Sequence, residues 1–325
     1  QESRYNSEHY NRKNNFRINL AMNRRDFIQK TAASSALLGL SGVSLSSFST
    51  IDTKKITILH TNDTHSHIDP FPVDHPKNPN MGGAARRAAI IESIRKEEKN
   101  VLLLDAGDIF QGTPYFNYYG GELEFKLMSM MQYDLATMGN HDFDNGIDGF
   151  YAQLPHAKFD FVSANYDFKN TVLNDIVKPY KIINKDGIKI GIFGLGVQLE
   201  GLVDKKLYKE TVYNNPIEVA QDMTRILKEE KKCDLVICLS HLGFKYKDEP
   251  EKPSDIQLAQ KTKNIDLIIG GHTHTFLDKP VIEKNSEGKE VLINQVGCFG
   301  VNLGRIDFYL SNDKLHHNQT KNIIV

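Results

Sequence analysis

Five short apolar runs in this chain are each followed within three residues by Asp, Asn or His, and that coincidence constrains the fold and chemistry more than any other feature. Ile56 to Leu59 empties into Thr61-Asn62-Asp63-Thr64-His65, and Val101 to Leu104 into Asp105-Ala106-Gly107-Asp108. Leu135 to Met138 leads to Gly139-Asn140-His141-Asp142-Phe143-Asp144, Leu235 to Leu239 to Ser240-His241, and Leu267 to Ile269 to Gly270-Gly271-His272-Thr273-His274. Runs this short and rich in β-branched residues read as strands. Amphipathic segments separate them: Ala84 to Lys96, Glu122 to Met131, Pro216 to Lys228 and Ser254 to Lys263 read as helices, the third with Pro at its front and the last with a serine cap. That alternation predicts an α/β domain. Phe161 to Ala164, Ile188 to Leu195, Val291 to Gln295 and Arg305 to Leu310 supply further strands. The glycines inside Ile188 to Leu195 signal close approach of a neighbouring backbone.

Ligands of α/β sheets gather at the carboxyl ends of strands, so the five polar loops are expected to converge on one place. In Asp63-x-His65 and His272-x-His274 a separation of two in extended chain would point both side chains to one side. Gly107, Gly139, Gly270 and Gly271 would let the backbone turn sharply there. Imidazoles with carboxylate and amide oxygens, and no thiolate, form a donor set that suits Zn, Mn, Co or Fe better than Ca.

Bulk properties narrow the partners. Lys and Arg total 40 against 41 Asp and Glu, so a nucleic acid polymer or an anionic membrane has no general electrostatic claim on this surface. The three cysteines, Cys233, Cys238 and Cys298, have no metal-type spacing. If Cys233 and Cys238 flank or share one strand they lie roughly 16 Å apart, too far for a disulfide. All three read as packing residues.

Three segments divide the chain. Residues 1–21 are polar, without apolar periodicity, and read as either a disordered extension or a wrongly assigned start. Residues 22–50 place Arg24-Arg25 ahead of a small, moderately apolar run and resemble a twin-arginine export signal, which would make the protein periplasmic. The competing reading is an amphipathic helix with a chance Arg pair. Either way the run is too short and too rich in Ser and Gly for a stable membrane span. Residues 51–325 form the folded domain.

The blocks Asn62-Asp63-Thr64-His65, Gly107-Asp108, Gly139 to Asp144, Ser240-His241 and Gly270 to His274 resemble the calcineurin-like metallophosphatase superfamily. Gly82-Gly83-Ala84-Ala85-Arg86, Gln111-Gly112-Thr113-Pro114, Gln295-Val296-Gly297 and Leu303-Gly304-Arg305 are similar to the catalytic domain of its 5'-nucleotidase and UDP-sugar hydrolase branch. The resemblance implies a four-layer α/β/β/α sandwich with a dinuclear metal site at strand ends. It implies one ion on Asp63, His65, Asp108 and His274 and another on Asp108, Asn140, His241 and His272, with Asp108 shared. Some members carry Gln where this chain has His274. His67 lies outside the usual pattern and reads as a neighbour of the ligands or loop surface.

Two such ions would clamp a phosphoryl group and activate water, with His141, oriented by Asp144, stabilising the phosphoryl oxygens or protonating the leaving group. The family continues into a second domain that carries the nucleoside pocket, so a separate chain supplying it is the expected partner. Tyr115, Phe116, Tyr118 and Tyr119 form either a stacking surface or the packing of their own helix. Phe71 to Asn80 is a candidate rim. The implied activity is hydrolysis of nucleotide or other phosphate monoesters. Cleavage of cyclic nucleotides or nucleotide sugars, and a non-catalytic metal-bound subunit, are the alternatives.

Overall fold

The computed structural model describes residues 53–311 and 314–325. The two N-terminal readings, residues 1–21 and 22–50, lie outside the described residues. Among the described residues no helix is long and apolar enough to cross a membrane.

Two sheets carry the fold. The first contains β1 (Lys54–Thr61), β2 (Val101–Asp105), β3 (Leu135–Ala136) and β4 (Asp160–Phe161) in parallel, with β13 (Asn302–Ser311) antiparallel on the far side of β1. β14 (Lys314–Gln319) and β15 (Ile323–Ile324) both pair with β13. The second runs β11 (Val281–Lys284), β12 (Glu290–Asn294), β10 (Leu267–Gly270), β9 (Leu235–His241), β7 (Ile188–Gly196) and β6 (Tyr180–Lys185), parallel except at its two outer pairs. A two-stranded ribbon, β5 (Tyr166–Asp167) with β8 (Val212–Tyr213), completes the strands.

The continuous apolar runs follow from burial on both strand faces. In β2, Leu102 and Leu104 point into the cluster between the sheets, while Val101 and Leu103 point into a cluster on the outer side. In β9, Leu235, Ile237 and Leu239 face the first sheet and Val236 and Cys238 face outward. Against the outer face of the first sheet lie α1 (Ala84–Glu97), α2 (Pro114–Tyr119), α3 (Glu122–Met130), α4 (Gly146–Gln153) and the short α5 (Lys205–Tyr208). Against the second lie α6 (Pro216–Arg225) and α7 (Asp255–Lys261). The order is therefore helices, sheet, sheet, helices, the layered sandwich that the resemblance implies. With three apolar layers, each fully buried Leu or Ile contributes about 1.5–3 kcal/mol.

Several boundaries differ from the sequence reading. β3 stops at Ala136 and β4 covers only Asp160–Phe161, because the chain leaves the ladder to form the loops beyond. After Arg225, α6 passes into a π turn, Ile226–Glu230. The serine cap is present, with Ser254 Oγ accepting from Gln257 N at 3.4 Å. Close approach at the β7 glycines is real: a Cβ on Gly194 would lie 2.1 Å from the Val162 carbonyl oxygen. All three cysteines are free and buried, as packing residues should be.

Candidate metal centre

The carboxyl ends of β1, β2 and β3 from one sheet, and of β9 and β10 from the other, meet at one edge of the sandwich. Their loops bring two donor groups together: Asp63, His65, Asp108 and His274, and Asp108, His241 and His272. Asp108 belongs to both. Asn140, the remaining expected ligand, has Oδ1 2.8 Å from His272 Nδ1.

The way the chain delivers these side chains differs from the sequence expectation. The i, i+2 pairs are not extended: Asp63 (φ 49°), His65 (φ 47°), His272 (φ 73°) and His274 (φ 50°) all occupy the left-handed region, as does Asp108 (φ 55°). Strand alternation ends before these residues, and successive turns, each an uncommon conformation for a residue with a Cβ, aim the donors. His272 and His274 accordingly enter different groups. Two glycines make the turns possible. A Cβ on Gly107 (φ 89°) would sit 2.5 Å from Gly139 N, and one on Gly139 would sit 2.1 Å from Asp108 Oδ1.

In the first group, His65 Nε2 and His274 Nε2 face each other at 3.0 Å. His274 Nε2 lies 3.3 Å from Asp63 Oδ1, and His65 Nε2 lies 3.8 Å from Asp108 Oδ2. Two Zn–N bonds of about 2.0–2.1 Å at right-angled to tetrahedral geometry place their nitrogens about 2.9–3.4 Å apart, so the imidazole pair has the separation of two ligands on one ion. In the second group the buried His241 Nε2 is 3.1 Å from Asp108 Oδ2 and has no well-formed hydrogen-bond partner. Its Nδ1 donates to the Ala106 carbonyl at 2.7 Å, which turns Nε2 toward Asp108 as the atom that would ligate an ion. A buried nitrogen without a partner beside a carboxylate fits a shared divalent cation, and the donor set as a whole suits one.

Electrostatics supports the same arrangement. Burial alone would lower His241, but the Asp108 carboxylate overrides it and lifts the imidazole to about 10. A hydrogen bond to Asp63, and then Cys298 beside it, lifts His274 to about 10. Burial dominates at His272, pushing it down to about 4. Burial would raise Asp108, yet the facing imidazoles, His241 first, hold it below the usual carboxylate range.

His141 stands on a 3-10 turn, His141–Phe143, with its N–H donating to Asp108 Oδ1 at 2.8 Å. Its Nδ1 is 2.7 Å from Asp144 Oδ2, and its side chain is 41% exposed. The hydrogen bond to Asp144 raises its pKa, and burial opposes that. The ring centroids of His65 and His141 are 5.2 Å apart, so this half-open imidazole borders the first donor group.

Some residues that hold the centre were not assigned a role from sequence. Asp142 is fully buried and accepts from the N–H groups of Asp108, Ile109, Phe110 and Gly139 at 2.8–3.1 Å. Asn62 accepts from Val296 N at 2.9 Å and donates to Asp63 Oδ2 at 2.6 Å. The signal for both was their place inside the blocks Asn62 to His65 and Gly139 to Asp144. His67 packs its ring 4.3 Å from Phe299, whose own ring is 5.9 Å from both His65 and His274. Phe71 joins the same stack, which brings the Phe71 to Asn80 loop to the rim. The aromatic segment divides. Phe116 is buried against Phe110, whereas Tyr118 is 83% exposed.

Residues 56–276 match the Calcineurin-like phosphoesterase family. The chain belongs to that family. Among curated proteins it is 36% identical over 282 residues to the snake venom 5'-nucleotidase of Naja atra, spanning 78% of this chain and 50% of the relative. It is 35% identical over 284 residues to the trifunctional nucleotide phosphoesterase protein YfkN of Bacillus subtilis, covering 78% of this chain and 18% of that protein. The 5'-nucleotidase precursor of Thermus thermophilus superposes with a TM-score of 0.75 at 31% identity, covering 84% of this chain and 55% of that one. The calcineurin-like phosphoesterase domain here thus corresponds to the N-terminal part of 5'-nucleotidases, and the chain spans about half or less of the length of these relatives.

Proposed function

We propose that this calcineurin-like phosphoesterase domain hydrolyses phosphate monoesters of nucleotides, with two divalent ions on the two donor groups that share Asp108. The observation that carries the reading is the position of His141. Its backbone is bonded to the shared carboxylate and its ring to Asp144, and its other edge stays open beside the ligands. When bound, the two ions would neutralise phosphoryl charge and acidify a water molecule. Asp63, His65, Asp108 and His274 would hold one, and Asp108, Asn140, His241 and His272 the other. His141 Nε2 would donate a hydrogen bond to a phosphoryl oxygen or a proton to the leaving oxygen. Asp144 keeps Nδ1 protonated and the ring oriented for either role. The proton-transfer pair speaks for an enzyme over a metal-bound scaffold, which would not need it.

A second reading, cleavage of cyclic nucleotides or nucleotide sugars, draws support from the name of the Bacillus relative, a trifunctional nucleotide phosphoesterase. Recognition of the nucleoside would come from sequence that these 325 residues do not span in the relatives, in the same chain or a separate one. Export is the proposed fate of the protein, on the strength of Arg24-Arg25 and of a venom enzyme among the relatives. The test compares products released from AMP, a 2',3'-cyclic nucleotide and UDP-glucose by protein loaded with Mn2+ or Zn2+. Phosphate from AMP alone supports the monoesterase. Turnover of only the other two selects the second reading, and no turnover of any phosphate ester with metals bound revives the scaffold.

A further inference from the structure

Helix α1 turns one stripe, Ala84, Arg87, Ile91 and Ile94, into the core, and Arg87 is its only charged member. The side chain is 4% exposed, and neither Nε nor Nη1 has a hydrogen-bond partner. A guanidinium stays charged at any working pH, so burying it with two of its nitrogens unpartnered is costly. From α3, Glu124 reaches the same region at 3% exposure. Its Oε1 accepts from Ser66 Oγ, while Oε2 has no partner.

Arg87 and Glu124 line a common cavity with Thr64, Ser66 and Met128, about 10 Å³ in volume. That is the room one water needs, about 10–15 Å³, and a water in such a place takes two to four polar partners. The unpaired cation and carboxylate offer them. Their charges cancel, which favours a neutral ligand over an anion.

The cavity also lies beneath the centre. Thr64 and Ser66 alternate with Asp63 and His65 along one turn, in which Asp63, His65 and Ser66 are left-handed. On the other side a Cβ at Gly300 would lie 2.0 Å from Arg87 Nη1, and the preceding Phe299 donates its N–H to the Asp63 carbonyl at 2.7 Å. The guanidinium therefore abuts both the turn that carries Asp63 and the turn that braces it.

We infer that Arg87 and Glu124 hold one bridging water in this cavity, and that the resulting strut positions the Asp63–His65 turn for metal binding. The second half rests on the two-ion reading above. Arg87 and Glu124 are positioning residues, since neither faces the open side of the site.

Two measurements on the complete chain test this. A high-resolution crystal structure is expected to show an ordered water within hydrogen-bond distance of Arg87 and of Glu124 Oε2; a dry cavity, or an Arg87 turned out of it, overturns the site. Calorimetric titration with Mn2+ alone is expected to show affinity weakened roughly ten-fold or more in Arg87→Met and Glu124→Gln, with partial recovery in Arg87→Lys and unchanged circular dichroism. Glu124→Gln keeps the volume and an acceptor for Ser66, so it remains informative if Arg87→Met does not fold. A folded Glu124→Gln with wild-type Mn2+ affinity overturns the positioning role. Wild-type protein that binds no Mn2+ instead sinks the two-ion reading and takes that role with it, while the crystallographic water decides the rest.

Discussion

The backbone N–H of Asp108 donates to Oδ2 of Asp142 at 3.0 Å, so the shared carboxylate of the centre is held by the turn that carries Asn140 and His141. Three more backbone N–H groups converge on the same Asp142 side chain. Burial comes first among the causes that raise its pKa, to about 7, and the negative Asp108 adds to it. Asp142→Ala would strand buried donors that each cost about 1–3 kcal/mol when unpaired. The expected outcome is a loss of about 3 kcal/mol or more in denaturant unfolding, together with loss of metal binding. A variant of wild-type stability would show that the turn is held by something else.

His141→Ala leaves every proposed ligand in place. It should bind two equivalents of metal by elemental analysis yet lose about 10²–10⁴ in kcat on the best phosphate ester. Asp144→Asn should fall in the same direction by less, because the ring stays but its orientation and proton are less secure. Undiminished kcat in His141→Ala would remove the imidazole from the mechanism.

Acid stability should depend on a carboxylate on β13, outside the candidate metal centre. Asp307 sits under Thr57, Arg305 and Lys55, with Thr57 Oγ1 donating at 2.7 Å and Lys55 Nζ at 3.2 Å. Burial pushes Asp307 up, but the hydrogen bonds from Thr57 and Arg305 outweigh it and hold the carboxyl below its ordinary 3.8. A folded-state pKa below the unfolded one adds stability above the unfolded value and loses it as pH falls through the folded value. Wild-type protein should therefore exceed Asp307→Asn in urea midpoint near neutrality, with the gap closing below about pH 4. A gap that stays constant through that window would contradict the assignment.

Much of the centre was legible because metal chemistry and strand ends leave a local mark. His241 at the end of β9 and Asp108 after β2 could be placed as candidates from a few neighbouring letters. The α/β class followed from short β-branched runs alternating with amphipathic segments, and those runs are continuous because their strands are buried on both faces, as Leu102 and Leu103 are on opposite sides of β2. What stayed hidden was long-range or conformational. The left-handed backbone at Asp63, His65, His272 and His274 carries no composition signal, so extended pairs were the natural but mistaken expectation. Strands β6, β11 and β14 form by pairing with β7, β12 and β13, and their mixed sequences have weak periodicity of their own. The role of Asp142 depends on loops that approach only in three dimensions.

The most direct test of the account is anomalous diffraction from crystals of the complete chain loaded with Mn2+. Two peaks are predicted, one among Asp63, His65, Asp108 and His274 and the other among Asp108, Asn140, His241 and His272, with Asp108 between them and both lost in Asp108→Ala. A single peak, or peaks away from Asp108, would contradict the shared-carboxylate centre on which the proposed chemistry rests.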